Sequence, residues 1–339
     1  MVGDGAEQHA DSPMRVVIRI SRFLPKPERP RRHSNPFAKD DAKQEPAFPR
    51  RKRQRGKQWV QDYPMRVHPQ DTILNCLLSI KRDSDPTLAF RYSCGHGMCG
   101  SDAVSINGTP TLLCTATVGE WAKTPVPLSS GNEFRHTGVT TGSVDASIPV
   151  TTSDAGPASP AGADESLAAP GNDDGGDAGP DRIIELAPLP GFPVQRDLIA
   201  DIDPMLEQIK RMKPYLQAKG LLATKADGAV DVFEYLQRPE QLHRYELLSN
   251  CIACGVCEGS CPVYAGGEAF IGPAALIMSS RFINDSRDGA TDQRLDDIRQ
   301  ADGIAACQSV RACSRHCPKG IDVGEEMWRL VERSGGAQG

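Results

Sequence analysis

Alternation of apolar and polar positions marks residues 14–20 (MRVVIRI), rich in β-branched side chains, as a β-strand. The alternation returns over 63–68, a second strand. Between 72 and 82 the spacing lengthens, and Ile73, Leu74, Leu77 and Leu78 fall on one helical face. Asp71 or Thr72 can cap that helix. Cys76 shares its apolar face and reads as a small buried hydrophobe rather than a ligand. Short strands over 103–106 and 111–113 flank Asn107-Gly108, a hairpin signal, and 182–187 (RIIELA) is a further strand. From Asp197 the pattern turns helical, through Leu198, Ile199, Ile202, Met205, Leu206 and Ile209, and helices and loops are expected to the C terminus. The fold class expected is α+β, a small mixed unit followed by an all-α one.

Two stretches break the pattern. Residues 22–57 hold 13 Lys/Arg against four Asp/Glu, with six prolines, and read as a basic insert with too little apolar surface for a core. Residues 129–180 hold one basic residue (Arg135) and eight acidic ones among Gly, Ser, Thr, Ala and Pro, and read as an acidic disordered linker. The expected organisation is a first domain over 14–128, the linker, a last strand and crossover over 181–196, and a helical domain over 197–335.

Charge narrows the function classes. The 339-residue chain carries 39 basic and 44 acidic side chains, a net charge of -5, and lacks the global positive field that nucleic-acid binding uses. The run 50–57 (RRKRQRGK) would suit an anionic surface, but no aromatics interleave with it before Trp59 for base stacking. It reads as a solvated insert, and no nucleic-acid partner is expected. No run of about 18 apolar residues encodes a transmembrane helix. The first eleven residues carry Asp4, Glu7 and Asp11 and no apolar stretch, so neither a signal peptide nor a transit peptide is expected.

The cysteines change the picture most. There are 11, and seven fall between Cys251 and Cys317. The run Cys251, Cys254, Cys257, Cys261-Pro262 matches C-x2-C-x2-C-x3-C-P, the bacterial ferredoxin pattern, whose fourth cysteine binds the other cluster of a two-cluster protein. Three thiolates two residues apart wrap one cubane, and the fourth points away. The second run reads Cys307, Val310, Cys313, Cys317-Pro318, with valine in the middle position. Crossover therefore gives a [4Fe–4S] cluster to Cys251, Cys254, Cys257 and Cys317. Cys261, Cys307 and Cys313 are left with three thiolates and no fourth ligand, which favours [3Fe–4S]. Zinc also takes C-x2-C pairs, but seven interleaved cysteines with two C-P ends fit the ferredoxin template better.

A third group, Cys94-Gly-His-Gly-Met-Cys99-Gly-Ser-Asp102 with Cys114 beyond the hairpin, follows the plant-type C-x4-C-x2-C…C spacing with Asp102 in the third place. A [2Fe–2S] cluster held by Cys94, Cys99, Cys114 and Asp102 is expected. The alternative for Asp102 is an exposed turn residue. Gly95, Gly97 and Gly100 let the backbone curl towards the sulfurs.

These three motifs together resemble the iron–sulfur subunit of the succinate dehydrogenase/fumarate reductase family. Stretches 85–91 (DPTLAFR), 188–193 (PLPGFP), 196–198 (RDL), 212–216 (MKPYL), 270–275 (FIGPAA), 285–288 (DSRD) and 317–320 (CPKG) agree with it. The resemblance covers roughly 14–20, 59–128 and 181–333. It implies a plant-type ferredoxin domain of β-grasp fold, then a bacterial-ferredoxin-like helical domain. It further implies an FAD-containing flavoprotein partner that oxidises succinate, membrane anchor subunits with or without heme, and a quinone acceptor. The chain would be a peripheral electron relay at the cytoplasmic face of the membrane. Having no G-x-G-x-x-G loop, it is not expected to bind FAD or NAD itself.

The quinone end departs from the family. Where ubiquinone-using members carry tryptophan and histidine, this chain has Ala265 or Gly266, and Gln308, while Pro262 is kept. That favours menaquinone or a rearranged site. Gln308 reads equally as a donor to a quinone carbonyl or as a surface amide. His96 and His316 read equally as tuning groups beside the ligands or as loop residues. A menaquinol-dependent fumarate reductase subunit and a soluble multi-cluster carrier are the competing functions.

Overall fold

The computed structural model describes residues 12–26, 55–123, 182–218, 227–228 and 237–335. The expected linker over 129–180 and most of the basic insert lie outside the described residues.

Strands β1 (Met14–Pro25) and β2 (Gly56–Val67) form one antiparallel hairpin, paired without a break from Met14↔Val67 to Pro25↔Gly56. Both are longer than the sequence pattern suggests, so the insert expected from residue 22 begins beyond the strand. The cause is Arg22. Period two along β1 sends Val16, Ile18, Ile20 and Arg22 to the same buried face, and a charge there ended the apolar signal.

Helix α1 (Ile73–Ser79) follows, with Thr72 as its cap through a 3.2 Å hydrogen bond from the Asn75 amide. Asp71 instead accepts from the His68 amide. Ile73, Leu74, Cys76 and Leu77 are buried. A wide helical turn over Ile80–Ser84 carries the chain to Asp85.

The hairpin of β3 (Ala103–Ile106) and β4 (Thr109–Leu112) turns through Asn107 and Gly108, both at positive φ. A short helix α2 (Val118–Trp121) precedes β5 (Arg182–Ala187). The sheet order is β2-β1-β5-β3-β4, with β5 parallel to β1 and antiparallel to β3. Its core gathers Ile18, Ile20, Leu77, Leu88, Ile106, Leu112 and Ile184.

After β5 comes a small two-stranded ribbon of β6 (Val194–Arg196), in the expected crossover, and β7 (Ile199–Ala200), on ground expected to be helical. The turn between them places Asp197 at φ 45°, so the first helix of this half, α3 (Asp203–Arg211), starts later than the periodicity from Leu198 suggested. The described remainder is helical: α4 (Pro239–His243), α5 (Val256–Ser260), α6 (Pro262–Gly266), α7 (Pro273–Ile283), α8 (Thr291–Ile298), α9 (Ala312–Arg315) and α10 (Val323–Arg333). α7 is the axis of the second core, buried along most of its length and packed against α3, α8 and α10.

The two cores meet. Leu189 and Phe192, just after β5, belong to the second core, while Val256 at the start of α5 packs into the first. Gly255, at φ 80°, allows this. A β-carbon there would stand 3.1 Å from Leu189 Cδ2 and 3.2 Å from Phe192 Cζ. Among the described residues no helix is long and apolar enough to cross a membrane.

Candidate metal centres

Residues 91–102 make an exposed loop between the two halves of the sheet, and its amides point at sulfur. Cys94 Sγ receives the N–H groups of His96 (3.5 Å), Met98 (3.4 Å) and Cys99 (3.3 Å), while the Gly97 amide reaches Cys114 Sγ at 3.2 Å. Ser101 Oγ lies 3.1 Å from Cys99 Sγ. Those amides, that of His96 first, pull the Cys94 thiol down to about 7. N–H groups that stabilise a thiolate suit it to ligate metal. Burial, with the Asp102 carboxyl beside it, pushes Cys114 up to about 12.

Asp102 is not an exposed turn residue, since only 3% of it meets solvent. Its Oδ2 accepts from the Cys114 amide at 2.7 Å, and its Oδ1 is buried without a hydrogen-bond partner. An orphaned carboxylate oxygen in a dry site is costly. A metal ion next to Cys114 would satisfy it.

The seven C-terminal cysteines divide between two cavities. One, small and almost wholly apolar, is lined by Cys251, Cys254, Cys257 and Cys317. The other, equally small, is lined by Cys261, Cys307 and Cys313. This is the partition that crossover predicts. Local backbone enforces it: Ala253 and Gly255 take left-handed conformations that fold the first run around its cavity, and Cys261 starts α6 with Pro262 at the helix N-terminus. Among the described residues no three candidate side chains converge closely enough for one bare ion. The thiols instead line two separate cavities, four around one and three around the other. Burial pushes Cys251 up to about 11, Cys254 to about 12 and Cys313 to about 11. Such thiols deprotonate only against a strong positive charge, which iron supplies.

Val310 lines the second cavity, exposed and without a donor atom, where a fourth thiolate would stand. Pro262 and Gln308 line the same cavity beside Met327. At the far end of α6 from Cys261, a β-carbon added at Gly266 or Gly267 would meet nothing within 4 Å. His316 Nδ1 lies 3.1 Å from Ser260 Oγ, and His96 Nδ1 lies 2.7 Å from the Cys94 carbonyl oxygen. Cys76, buried in α1 and raised to about 12 by desolvation, stands apart from all three groups.

Spacing gave no hint of Glu258. It is fully buried, its Oε1 accepts from the Ala274 amide at 2.7 Å, and its Oε2 lies 3.0 Å from Cys257 Sγ. It ties the first cysteine run to the start of α7, and burial raises its carboxyl above the usual range. Only its place next to a ligating cysteine could have drawn notice.

Residues 19–141 match the family described as a 2Fe-2S iron-sulfur cluster binding domain, and residues 247–321 match the 4Fe-4S dicluster domain. Over 262 residues the chain is 30% identical to the fumarate reductase iron-sulfur subunit of Mycobacterium tuberculosis, covering 77% of this chain and 80% of that one. Over 276 residues it is 30% identical to the succinate dehydrogenase iron-sulfur subunit of Coxiella burnetii, covering 81% and 89%. A solved structure, the Mycobacterium smegmatis Sdh1 complex in the apo form, aligns with a TM-score of 0.59 at 19% identity over 95% of this chain and 96% of its own, a likeness of fold.

Proposed function

The chain belongs to the iron-sulfur subunits of the succinate dehydrogenase/fumarate reductase family, and on that premise we propose that it is the electron-transfer subunit of a succinate:quinone oxidoreductase, relaying electrons from the FAD of a flavoprotein partner to a membrane quinone. The observation that carries this is the sorting of seven cysteines into a four-thiol and a three-thiol cavity, behind a separate thiol-and-carboxylate loop. When bound, [2Fe–2S], [4Fe–4S] and [3Fe–4S] centres each take and give one electron and move no proton of their own.

The chain's own residues do the rest. Cys94, Cys99, Cys114 and Asp102 hold the two-iron centre in a loop lined with amides, the end suited to meet a flavoprotein. Cys251, Cys254, Cys257 and Cys317 hold the four-iron centre, and Cys261, Cys307 and Cys313 the three-iron centre. The sheet order β2-β1-β5-β3-β4, with α1 packed on it, supports a β-grasp reading of 14–128 with 181–196. The helices from α3 onward support the bacterial-ferredoxin reading of 197–335. Pro262 and Gln308 are the quinone-facing contacts, and the lack of an aromatic side chain at Ala265 or Gly266 favours menaquinone. Anchor subunits, with or without heme, hold the assembly at the cytoplasmic face of the membrane. The fumarate-reducing direction is the second reading, supported by the equal identity to a relative of that name.

Purification in mild detergent is expected to bring down a flavoprotein and hydrophobic anchors, with nine irons per chain (two, four and three), three paramagnetic centres and menaquinone in the extract. A chain that purifies alone would sink the complex assignment, and ubiquinone alone would sink the quinone one. Asp102→Cys is expected to keep the two-iron centre with a shifted potential. If Asp102→Ala leaves that centre's spectrum and potential unchanged, Asp102 is not a ligand.

A further inference from the structure

The two-iron loop and the four-iron loop come closest to a steric clash at a buried glycine. Gly100 follows Cys99 and, unlike its neighbours Met98 and Cys99, is buried. A β-carbon built on it would stand 2.6 Å from Cys254 Cβ, 3.0 Å from Cys254 Cα and 3.3 Å from Ile252 Cδ1. Carbon atoms rest about 3.5–4.0 Å apart, so any larger residue forces the loops apart by about 1 Å. Backbone adds to this, because Gly100 has φ +68°, a region glycine enters without cost. On the exposed side a weaker contact crosses between the same parts of the chain, Lys319 Nζ at 3.1 Å from Met98 Sδ.

We infer that Gly100 is the positioning residue that sets the closest approach between the two-iron and four-iron centres. It leaves one van der Waals gap between the backbone next to Cys99 and the side chain of Cys254. The inference rests on the reading of Cys99 and Cys254 as ligands of different centres. The step served is a single electron, lost on the two-iron side and gained on the four-iron side, with no bond made or broken and no proton moved. Gly100 touches neither iron and acts only through distance.

Gly95 supplies a matched control. It lies in the same loop at φ +72°, but a β-carbon there would meet nothing within 4 Å. Gly95→Ala and Gly100→Ala therefore strain the backbone alike, and only the second meets Cys254. Both variants would be purified as the full complex, counted for iron and sulfide, and compared by microwave power saturation of the reduced two-iron signal with the four-iron centre oxidised and then reduced. In the unaltered complex, reduction of the four-iron centre is expected to speed relaxation of the two-iron signal. That enhancement should shrink in Gly100→Ala, whose signal then saturates at lower power, and should persist in Gly95→Ala. Loss of the two-iron centre in Gly100→Ala but not in Gly95→Ala would also support the contact. Undiminished enhancement in an iron-replete Gly100→Ala, or equal damage in both variants, would overturn the inference while leaving the ligand reading intact. An unaltered complex without two-iron and four-iron centres would overturn both.

Discussion

Cys317→Ser is expected to abolish the four-iron centre and leave the three-iron centre in place, while Cys261→Ser does the reverse. Assignment by sequence neighbours would give the opposite result, because Cys261 stands in one run with Cys251, Cys254 and Cys257. The cavities argue for crossover: Cys317 lines the apolar space shared with that trio, while Cys261 opens towards Cys307 and Cys313. Cys257 lies in α5 and Cys261 caps the next helix, α6, so the two cysteines face different spaces. Electron paramagnetic resonance separates the outcomes, since the three-iron centre is visible when oxidised and the four-iron centre when reduced. A Cys317→Ser complex that keeps the four-iron signal and loses the three-iron one would end the crossover assignment.

Arg22→Leu is expected to cost about 3–5 kcal/mol of stability, the usual penalty for stranding a buried charge. Arg22 is 2% exposed and its Nε donates to Asp197 Oδ1 at 2.9 Å. Its other nitrogens reach Asp85, Gln61, the Tyr63 hydroxyl and Thr87 Oγ1. Asp197, 1% exposed, also accepts from the amides of Phe23 (3.1 Å) and Ala89 (2.9 Å). One ion pair therefore ties together β1, the segment leading to the two-iron loop, and the crossover. Asp197→Asn keeps one acceptor oxygen and turns an NH2 donor towards the Phe23 or Ala89 amide, so it too is expected to destabilise. Burial opposes charge on Asp85, but hydrogen bonds from Thr87, Tyr63 and Arg22 outweigh it and hold the carboxyl below the usual range. A carboxyl lowered on folding stabilises above its unfolded value near 3.8 and loses that contribution as pH falls through the folded value. Thermal denaturation of the purified complex reads the loss directly. A midpoint unchanged in Arg22→Leu would show that the cluster carries little.

The contrast between these two cases explains what the chain disclosed in advance. The cysteine partition was legible because ligand geometry is local: two- and three-residue steps around a cubane leave a spacing that can be read by eye. The α1 face, the Asn107-Gly108 turn and β5 were legible because each is a short-range pattern. Arg22 was not, because its meaning lies in Asp197, 175 positions away. An arginine between prolines in a basic stretch looks like solvent-facing chain until its partner is placed. For the same reason β1 was cut short, and β7 with the turn before it was taken as helix, since Leu198 and Ile199 are apolar in either conformation. The burial of Asp102 and the lodging of Glu258 between Cys257 and Ala274 are tertiary facts with no one-dimensional trace.

The wall of the apolar four-thiol cavity is drawn from three parts of the chain, 251–257, Ala274 and Ile277 of α7, and 317–323. No peptide emerging from a ribosome can present that wall until Cys317 has been made. Loading of this cavity must therefore wait for that residue, and a chain stopped short of it offers an unfinished cup, whereas the loop of Cys94, Cys99, Asp102 and Cys114 is complete long before.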